Sequence, residues 1–143
     1  MCGITGIINL DGEPVSLAVL QKMTDEIVHR GPDGEGHWIE ENVGLGHRRL
    51  AIIDLSPAGN QPMISTDNRY VLSYNGEVYN FRELRPELAS AGALFKGSSD
   101  TEVMLAAIEQ WGLCTAVQRF AGMFAFALWD RKTRTLSLVR DCL

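Results

Sequence analysis

The chain has 143 residues, 45% apolar and 22% charged, which suits one domain with a single substantial core. Its net charge of −5 and the absence of a basic cluster argue against nucleic-acid binding. The sequence has neither the roughly 20 consecutive apolar residues of a membrane span nor the pattern of a secretory signal, so we expect no membrane association and a cytoplasmic location.

Cysteine and histidine residues are few and scattered. The cysteines are odd in number and far apart, which predicts neither a disulfide framework nor a metal site. The histidines lack the HExxH spacing of a zinc enzyme, so we expect no metal. These residues are Cys2, Cys114, Cys142, His29, His37 and His47.

The first half of the chain predicts a strand, a helix and further strands. Residues 3–10 are apolar and β-branched and end at an Asp-Gly turn signal, which favours a strand. Ser16 is predicted to cap a helix with apolar positions at helical spacing. Glycine and proline make residues 30–36 a loop. Further strands are predicted over residues 37–40, 43–53 and 70–74.

The second half predicts two helices followed by two strands. Asn80 is expected to cap a helix through residue 91, with a kink or an early end at Pro86. Ser99 and Glu102 match a capping box at the start of a helix that ends at Trp111. Strands are predicted over residues 120–129 and 135–139, joined by a turn. This mixed order indicates an α+β domain with largely antiparallel sheets.

Cys2 directly follows the initiator Met1. Removal of Met1 would give this one residue both a thiol and a free α-amine. The amine has a reference pKa of about 7.7–8.0, so a fraction of it is an uncharged base near neutral pH. An N-terminal amine that activates its own side chain is a known route to a covalent catalyst. Free cysteines usually behave as small buried hydrophobes, so the dipeptide alone leaves both interpretations open.

Five segments in a fixed order make the catalytic interpretation specific. They are Cys2-Gly3-Ile4-Thr5-Gly6, Arg30-Gly31-Pro32-Asp33-Gly34, His47-Arg48-Arg49-Leu50-Ala51-Ile52-Ile53-Asp54, Tyr74-Asn75-Gly76-Glu77-Val78-Tyr79-Asn80 and Gly97-Ser98-Ser99-Asp100-Thr101-Glu102. In this order and spacing the set resembles the glutaminase domain of class II glutamine amidotransferases, in particular the asparagine synthetase (glutamine-hydrolysing) family. The resemblance extends through essentially the whole chain.

The resemblance implies a fold and a reaction. The fold is that of an N-terminal nucleophile hydrolase, an αββα sandwich of two antiparallel sheets. The reaction is hydrolysis of glutamine to glutamate and ammonia through a thioester on Cys2. The family positions of the oxyanion donors match the side-chain amide of Asn75 and the backbone N–H of Gly76. Taken alone, an Asn-Gly pair more strongly predicts a two-residue hairpin turn.

The resemblance also implies which residues recognise the amino-acid end of glutamine. Arg49 matches the arginine that binds the α-carboxylate, for which a guanidinium offers two parallel hydrogen bonds. Asp100 matches the acid that binds the α-ammonium group, with assistance from Glu77. Leu50 and Ile52 are expected to line the pocket. The structural alternatives are a helix-dipole role for Asp100 and strand core for Leu50 and Ile52.

Relatives in this family continue beyond the point where this chain stops. The resemblance therefore implies that residues 1–143 form a glutaminase domain that is truncated at its C-terminus, with the synthetase domain absent. We expect no cofactor in this domain, since ATP and magnesium belong to the missing synthetase domain. An open sheet edge predicts a homo-oligomer or a separate synthetase domain or subunit as partner. The alternative is an inactive remnant that serves as a glutamine-binding or interaction module.

Overall fold

A computed structural model describes residues 1–142, and Leu143 lies outside the described residues. The strands form two antiparallel sheets, the first with strand order β1-β3-β2 and the second with order β4-β5-β6-β7. The elements are β1 (Gly3–Ile8), α1 (Leu17–Glu26), β2 (Gly34–Glu40), β3 (Val43–Arg49), β4 (Met63–Ile64), β5 (Tyr70–Val78), α2 (Phe81–Ser90), α3 (Asp100–Trp111), α4 (Leu113–Arg119), β6 (Gly122–Asp130) and β7 (Thr135–Arg140), with 3₁₀ turns at Val28–Arg30 and Pro57–Gly59.

The two sheets pack face to face and carry helices on their outer faces. The core between the sheets consists of buried side chains from β3, β5 and β6, namely Val43, Leu45, Val71, Ala127 and Trp129. Helix α1 covers the outer face of the first sheet, where Leu20 is fully buried. The larger core lies between the outer face of the second sheet and helices α2 and α3. The result is the four-layer αββα order that the family resemblance implied.

Strand alternation directs several side chains of the proposed site into the space between the sheets. Leu45 and Val71 lie in the inter-sheet core. Successive side chains of a strand point to opposite faces, so Arg49 and Asn75, four residues further along the same strands, share those inner faces. Cys2 precedes β1 directly. One end of the inter-sheet space therefore collects the chemically reactive groups.

β3 ends at Arg49, well before the predicted end of that strand at residue 53. The apolar, β-branched segment that follows has the composition of a strand, but its N–H groups bond elsewhere. The N–H of Leu50 donates to the sulfur of Cys2, and the N–H of Ala51 donates to the carboxylate of Asp33. These contacts take the backbone out of the sheet and turn it along the cleft.

Two more short elements were not predicted. Helix α4 occupies residues that the sequence analysis left unassigned, and the strand expected from residue 120 begins at Gly122. Gly112 separates α3 from α4 with a φ of +77°, a conformation that glycine adopts without a steric penalty. Strand β4 has only two residues.

Only one of the predicted capping side chains caps its helix. The Ser99 hydroxyl accepts a hydrogen bond from the N–H of Glu102 at 3.3 Å. The side chains of Ser16 and Asn80 make no cap hydrogen bond, and the Asn80 side chain instead accepts from the N–H of Ala121. The early end of the helix predicted at Pro86 is wrong, because α2 continues through this residue to Ser90.

Leu88 tests the core beneath the second sheet. This α2 side chain is 0% exposed, whereas Leu94, in the loop after α2, is 78% exposed. We expect Leu88→Ala to lower the free energy of unfolding by about 2–5 kcal/mol, because it leaves a cavity. Leu94→Ala is the matched control and should change it by less than about 0.5 kcal/mol. Equal effects of the two substitutions in urea unfolding would contradict the packing described.

Candidate active site

A cleft of about 200 Å³ opens where the N-terminus, the end of β3 and the edge of β5 meet. Its lining includes every residue that the sequence analysis placed in the site. These residues are Cys2, Arg49, Leu50, Ile52, Asn75, Gly76, Glu77 and Asp100. The structure thus brings the predicted residues together, while their chemical roles stay predictions.

Cys2 lies in the cleft with its sulfur held against the backbone of Leu50. The Leu50 N–H donates to Sγ at 3.3 Å, and the thiol points back to the Leu50 carbonyl at 3.7 Å. Met1 also lines the cleft and is exposed. The position of the sulfur is therefore fixed by the segment after β3, while the residue before it is accessible for removal.

The edge of β5 supplies backbone N–H groups to the cleft. Strand β4 pairs only with the first part of β5, so the later residues that face this edge have no strand partner. The Tyr74 N–H donates to Oε1 of Gln61 at 2.6 Å, and the Val78 N–H donates to Oδ2 of Asp100 at 3.0 Å. By strand alternation, Gly76 lies between them on the same edge. No described side chain accepts from its N–H.

Gly76 occupies a position that requires glycine. Its φ is +144°, and a Cβ there would overlap the carbonyl oxygen of Met123 on β6. The hairpin-turn alternative for Asn75 and Gly76 is wrong, because both lie inside β5 opposite Ala125 and Phe124. The unusual backbone at Gly76 belongs to a strand edge that faces a cleft.

Asn75 contributes a side-chain amide without a protein partner. Its Oδ1 is buried and has no hydrogen bond among residues 1–142. Buried polar groups are nearly always hydrogen-bonded, so an unpaired one at a cleft requires an explanation. Only a hydrogen-bond donor would satisfy Oδ1, whereas the Nδ2 of the same amide is the atom that can donate to an anionic ligand.

Arg49 is anchored by the loop that follows it, and two of its N–H groups make no hydrogen bond to the described residues. Its Nη1 donates to the Ser56 carbonyl at 2.9 Å and to Oδ1 of Asn60 at 2.8 Å, and its Nη2 donates to the Asp54 carbonyl. A guanidinium has five N–H donors, so the Nε–H and one Nη2–H remain. The Nε and Nη2 groups share the edge of the guanidinium that can bind a carboxylate with two parallel bonds.

Asp100 is held by one of its two carboxylate oxygens. Oδ2 accepts from the Tyr74 hydroxyl at 2.7 Å and from the Val78 N–H, while the residue as a whole is buried at the start of α3. Burial and the charge of Asp100 raise the pKa of Tyr74, so its hydroxyl stays protonated and donates. Oδ1 of Asp100 remains for a cation in the cleft.

The other predicted residues form the mouth of the cleft. Glu77 is exposed at the end of β5, next to the edge that bears Gly76. Leu50 and Ile52 lie after β3 and outside any strand, so the strand-core alternative for them is wrong. Ile52 is largely exposed.

Sequence reasoning assigned no role to five polar residues that also line the cleft. They are Asp54, Gln61, Tyr74, Tyr79 and Thr101. Asp54 and Tyr74 stand inside recognised segments, where an acid and a hydroxyl could have been noted. Gln61 lies outside every such segment, and its contact with β5 depends on a loop path that no local pattern reveals.

Two further observations concern ligands and membranes. Within residues 1–142, no group of three or more His, Cys, Asp or Glu side chains is arranged to hold a metal ion. Over the same residues, no helix has both the length and the apolar character needed to cross a bilayer.

His47 lies beneath the cleft as a neutral ring. It is 0% exposed, and because a carbonyl only accepts, Nε2 carries the hydrogen that is donated to the Tyr74 oxygen at 3.0 Å. Burial is the largest cause of a pKa lowered to about 4. The charge of nearby Arg49 lowers it further. This ring links β3 to the strand that carries Asn75.

Comparison with known proteins identifies relatives over the whole chain. A family model described as a glutamine amidotransferase domain matches residues 1–143. Asparagine synthetase [glutamine-hydrolyzing] 1 of Bacillus subtilis is 41% identical over 99% of this chain and 22% of its own length. Amidase chry2 of Gibberella zeae is 39% identical over 99% of this chain and 22% of its own length. The chain thus spans about a fifth of the length of these curated relatives.

A solved structure shares the fold. Glutamine phosphoribosylpyrophosphate amidotransferase from B. subtilis superposes with a TM-score of 0.78 at 21% identity, covering 96% of this chain and 37% of that one. The predicted N-terminal nucleophile hydrolase sandwich is confirmed by this match. The chain belongs to the glutamine amidotransferase domain family, as its motifs predicted, and is homologous to the glutaminase domains of asparagine synthetases.

The buried His47 predicts a pH dependence of stability. Its folded pKa of about 4 lies below the unfolded value of about 6.5, so only the unfolded chain takes up this proton as the pH falls between those values. The free energy of unfolding should therefore drop by about 3 kcal/mol across this window from this group alone. Stability from this source is complete above pH 6.5 and lost toward pH 4.

Urea unfolding at pH 7 and at pH 4.5 measures this effect. His47→Gln keeps a donor for the Tyr74 carbonyl but has no titrating ring, so its stability should depend less on pH than that of the wild type. His29→Gln removes an exposed histidine and should retain the wild-type dependence. A His47→Gln variant with the wild-type slope would show that the ring is not buried in its neutral form.

Proposed function

We propose that this chain, after loss of Met1, hydrolyses glutamine to glutamate and ammonia through a thioester on Cys2. The observation that carries the proposal is the composition of one cleft. It collects the Cys2 sulfur, two groups that can donate to an oxyanion (the Nδ2 of Asn75 and the N–H of Gly76), and charged groups of opposite sign at Arg49 and Asp100. Membership of the glutamine amidotransferase domain family supports the same reaction.

The first half-reaction forms the thioester. The α-amine of Cys2 takes the thiol proton as Sγ attacks the side-chain amide carbon of glutamine, and a tetrahedral oxyanion develops. The Asn75 amide and the Gly76 N–H donate to that oxyanion. The protonated amine then gives its proton to the amide nitrogen, the C–N bond breaks, and ammonia leaves.

The second half-reaction releases glutamate. The same amine, again uncharged, takes a proton from a water molecule that attacks the thioester carbon. A second oxyanion forms at the same two donors, and the bond between carbon and sulfur breaks. The proton returns to sulfur, which regenerates the Cys2 thiol. One base therefore serves both steps because it belongs to the nucleophilic residue itself.

Substrate recognition uses the groups that the fold leaves free. The Nε–H and remaining Nη2–H of Arg49 bind the α-carboxylate of glutamine, and Oδ1 of Asp100 binds its α-ammonium group. Glu77 adds negative charge on the ammonium side. Leu50 and Ile52 cover the aliphatic part of the substrate. This set of contacts selects a free amino acid over an amide within a protein chain.

The ammonia is proposed to serve a synthetase domain or subunit. The curated relatives include glutamine-hydrolysing asparagine synthetases that are far longer than this chain. We infer that a synthetase unit supplies the ATP site and the nitrogen acceptor. The cleft described here provides only the glutaminase half-reaction.

Substitutions at Cys2 and Asn75 test the chemistry. Cys2→Ala removes the nucleophile and should abolish glutamate release from glutamine. Asn75→Ala removes one oxyanion donor and should lower kcat by about 10²–10³-fold. Cys114→Ala replaces an exposed cysteine and should keep the wild-type rate.

Intact-mass measurement separates catalysis from the alternative of an inactive binding module. A chain that lacks Met1 and gains one covalent adduct from a glutamine-like electrophile, lost in Cys2→Ala, supports the enzyme. If the chain has lost Met1 and is folded, but binds glutamine without hydrolysing it, the proposal is contradicted.

An uncovered apolar surface supports the predicted association. Leu138 on β7 is 75% exposed although its cross-strand partner Ala127 lies in the inter-sheet core. Ile4 on β1 and Ala125 on β6 line the groove beside it. We infer that the three-stranded first sheet leaves this part of the second sheet available to a second copy or to a synthetase unit.

Sedimentation velocity tests self-association at this groove. We expect the sedimentation coefficient of the isolated chain to rise with concentration, because association covers Leu138. Leu138→Lys places a charge in the groove and should shift the chain toward monomer. Leu10→Lys, at a residue that is 96% exposed, is the control. A wild-type chain that stays monomeric at all concentrations would exclude self-association.

A further inference from the structure

Asp54 joins two segments that carry opposite ends of the proposed substrate site. The residue is only 8% exposed. Its Oδ1 accepts from the Ser56 N–H at 2.8 Å within its own loop, and its Oδ2 accepts from the Ser98 N–H at 2.8 Å. Hydrogen bonds from Ser56 and Ser98 lower the pKa of the Asp54 carboxyl to about 2, so it is ionised at any pH near neutral.

On one side, Asp54 belongs to the loop that locates the Arg49 guanidinium. Its carbonyl accepts from Nη2 of Arg49, and the neighbouring Ser56 carbonyl accepts from Nη1. Gly59 packs against the same guanidinium, which a Cβ at this position would displace. A displacement of this loop would move the guanidinium with it.

On the other side, Ser98 leads directly into the first turn of α3, which carries Asp100. The turn before Ser98 is held by its own helix, since the Glu102 carboxylate accepts from the N–H groups of Lys96 and Gly97. Contact between the two segments is close, because a Cβ on Gly97 would lie 2.5 Å from Oδ2 of Asp54.

Few other hydrogen bonds join these segments. Among the described residues, the other side-chain bond from this region of the chain to the start of α3 runs from Gln61 to Thr101 and is longer, at 3.4 Å. The ionised carboxylate of Asp54 accepts a shorter bond, and bonds to charged groups are the stronger class. Asp54 therefore contributes most to the spacing of the two segments.

We propose that Asp54 is a positioning residue, whose carboxylate sets the separation between Arg49 and Asp100 so that one free amino acid bridges them. The inference rests on the proposed function, which assigns the α-carboxylate to Arg49 and the α-ammonium group to Asp100. Asp54 makes no hydrogen bond to Cys2, Asn75 or Gly76 within the described residues. It therefore acts on recognition of the amino-acid end and not on the attack at the amide.

Asp54→Asn tests this role, because asparagine has nearly the same size and shape as aspartate but carries no charge. An asparagine offers one acceptor oxygen and one amide nitrogen, so either Ser56 or Ser98 loses its acceptor and faces a donor instead. We expect KM for glutamine to rise about tenfold or more, as for loss of a charged hydrogen bond, while kcat changes by less than about threefold. Asp67→Asn is the matched control, since Oδ1 of Asp67 accepts an N–H two residues on in the same way and lies outside the cleft.

Two reagents that alkylate the nucleophilic sulfur separate positioning from general loosening of the fold. The diazo ketone analogue of glutamine carries the amino-acid end, and iodoacetamide does not. In Asp54→Asn, inactivation by the diazo ketone at subsaturating concentration should slow about tenfold, and inactivation by iodoacetamide should stay within about twofold. Both rate constants report only on active molecules, so partial unfolding of the variant does not change their ratio.

The outcomes distinguish this inference from the function on which it rests. If the wild type is active and Asp54→Asn changes neither KM nor the ratio of the two inactivation rates, the positioning role is overturned and the proposed function is not. A fall in kcat at constant KM overturns it as well. A processed wild-type chain that neither turns over glutamine nor reacts with the diazo ketone overturns the proposed function and this inference together.

Discussion

The short length of β4 is the constraint on which the cleft depends. Because β4 pairs with β5 only at its beginning, the N–H groups of Tyr74, Gly76 and Val78, which point away from β6, have no strand beside them. An open strand edge must satisfy its backbone polar groups in another way. Side chains of Gln61 and Asp100 take two of these groups, and the one between them, at Gly76, faces the cleft. A longer β4 would close the edge and remove the site.

The groups available to a ligand are those that remain after the structural hydrogen bonds are made. Arg49 uses three donors on its own loop and keeps two, and Asp100 uses Oδ2 on β5 and keeps Oδ1. Each group is thereby fixed before a substrate arrives. Groups that are already oriented lose less conformational freedom when they bind a ligand. The hydrogen bonds that hold the fold together around the cleft also orient the side chains that face a ligand.

Much of this arrangement follows from local sequence. The alternation in the strands and the Ser99 cap come from short-range patterns, whereas the layer order and the site residues came from the family resemblance that the ordered motifs carry. The end of β3 did not follow, because the residues after Arg49 have strand composition while their N–H groups bond to Cys2 and Asp33, which are distant in sequence. The hydrogen bond between Asp54 and Ser98 also joins residues far apart in the sequence, and no local pattern predicted it. Helix α4 is too short to show a clear apolar period.

The central claim is that the sulfur of Cys2, freed from Met1, forms a covalent bond with the side-chain carbonyl carbon of glutamine. Rapid acid quenching of the processed chain during turnover, followed by intact-mass and peptide analysis, measures this directly. The account predicts a transient species heavier by one glutamyl group, located on the N-terminal peptide and absent from Cys2→Ala. Turnover that proceeds without any such species, or an adduct on Cys114 or Cys142 instead, would contradict it.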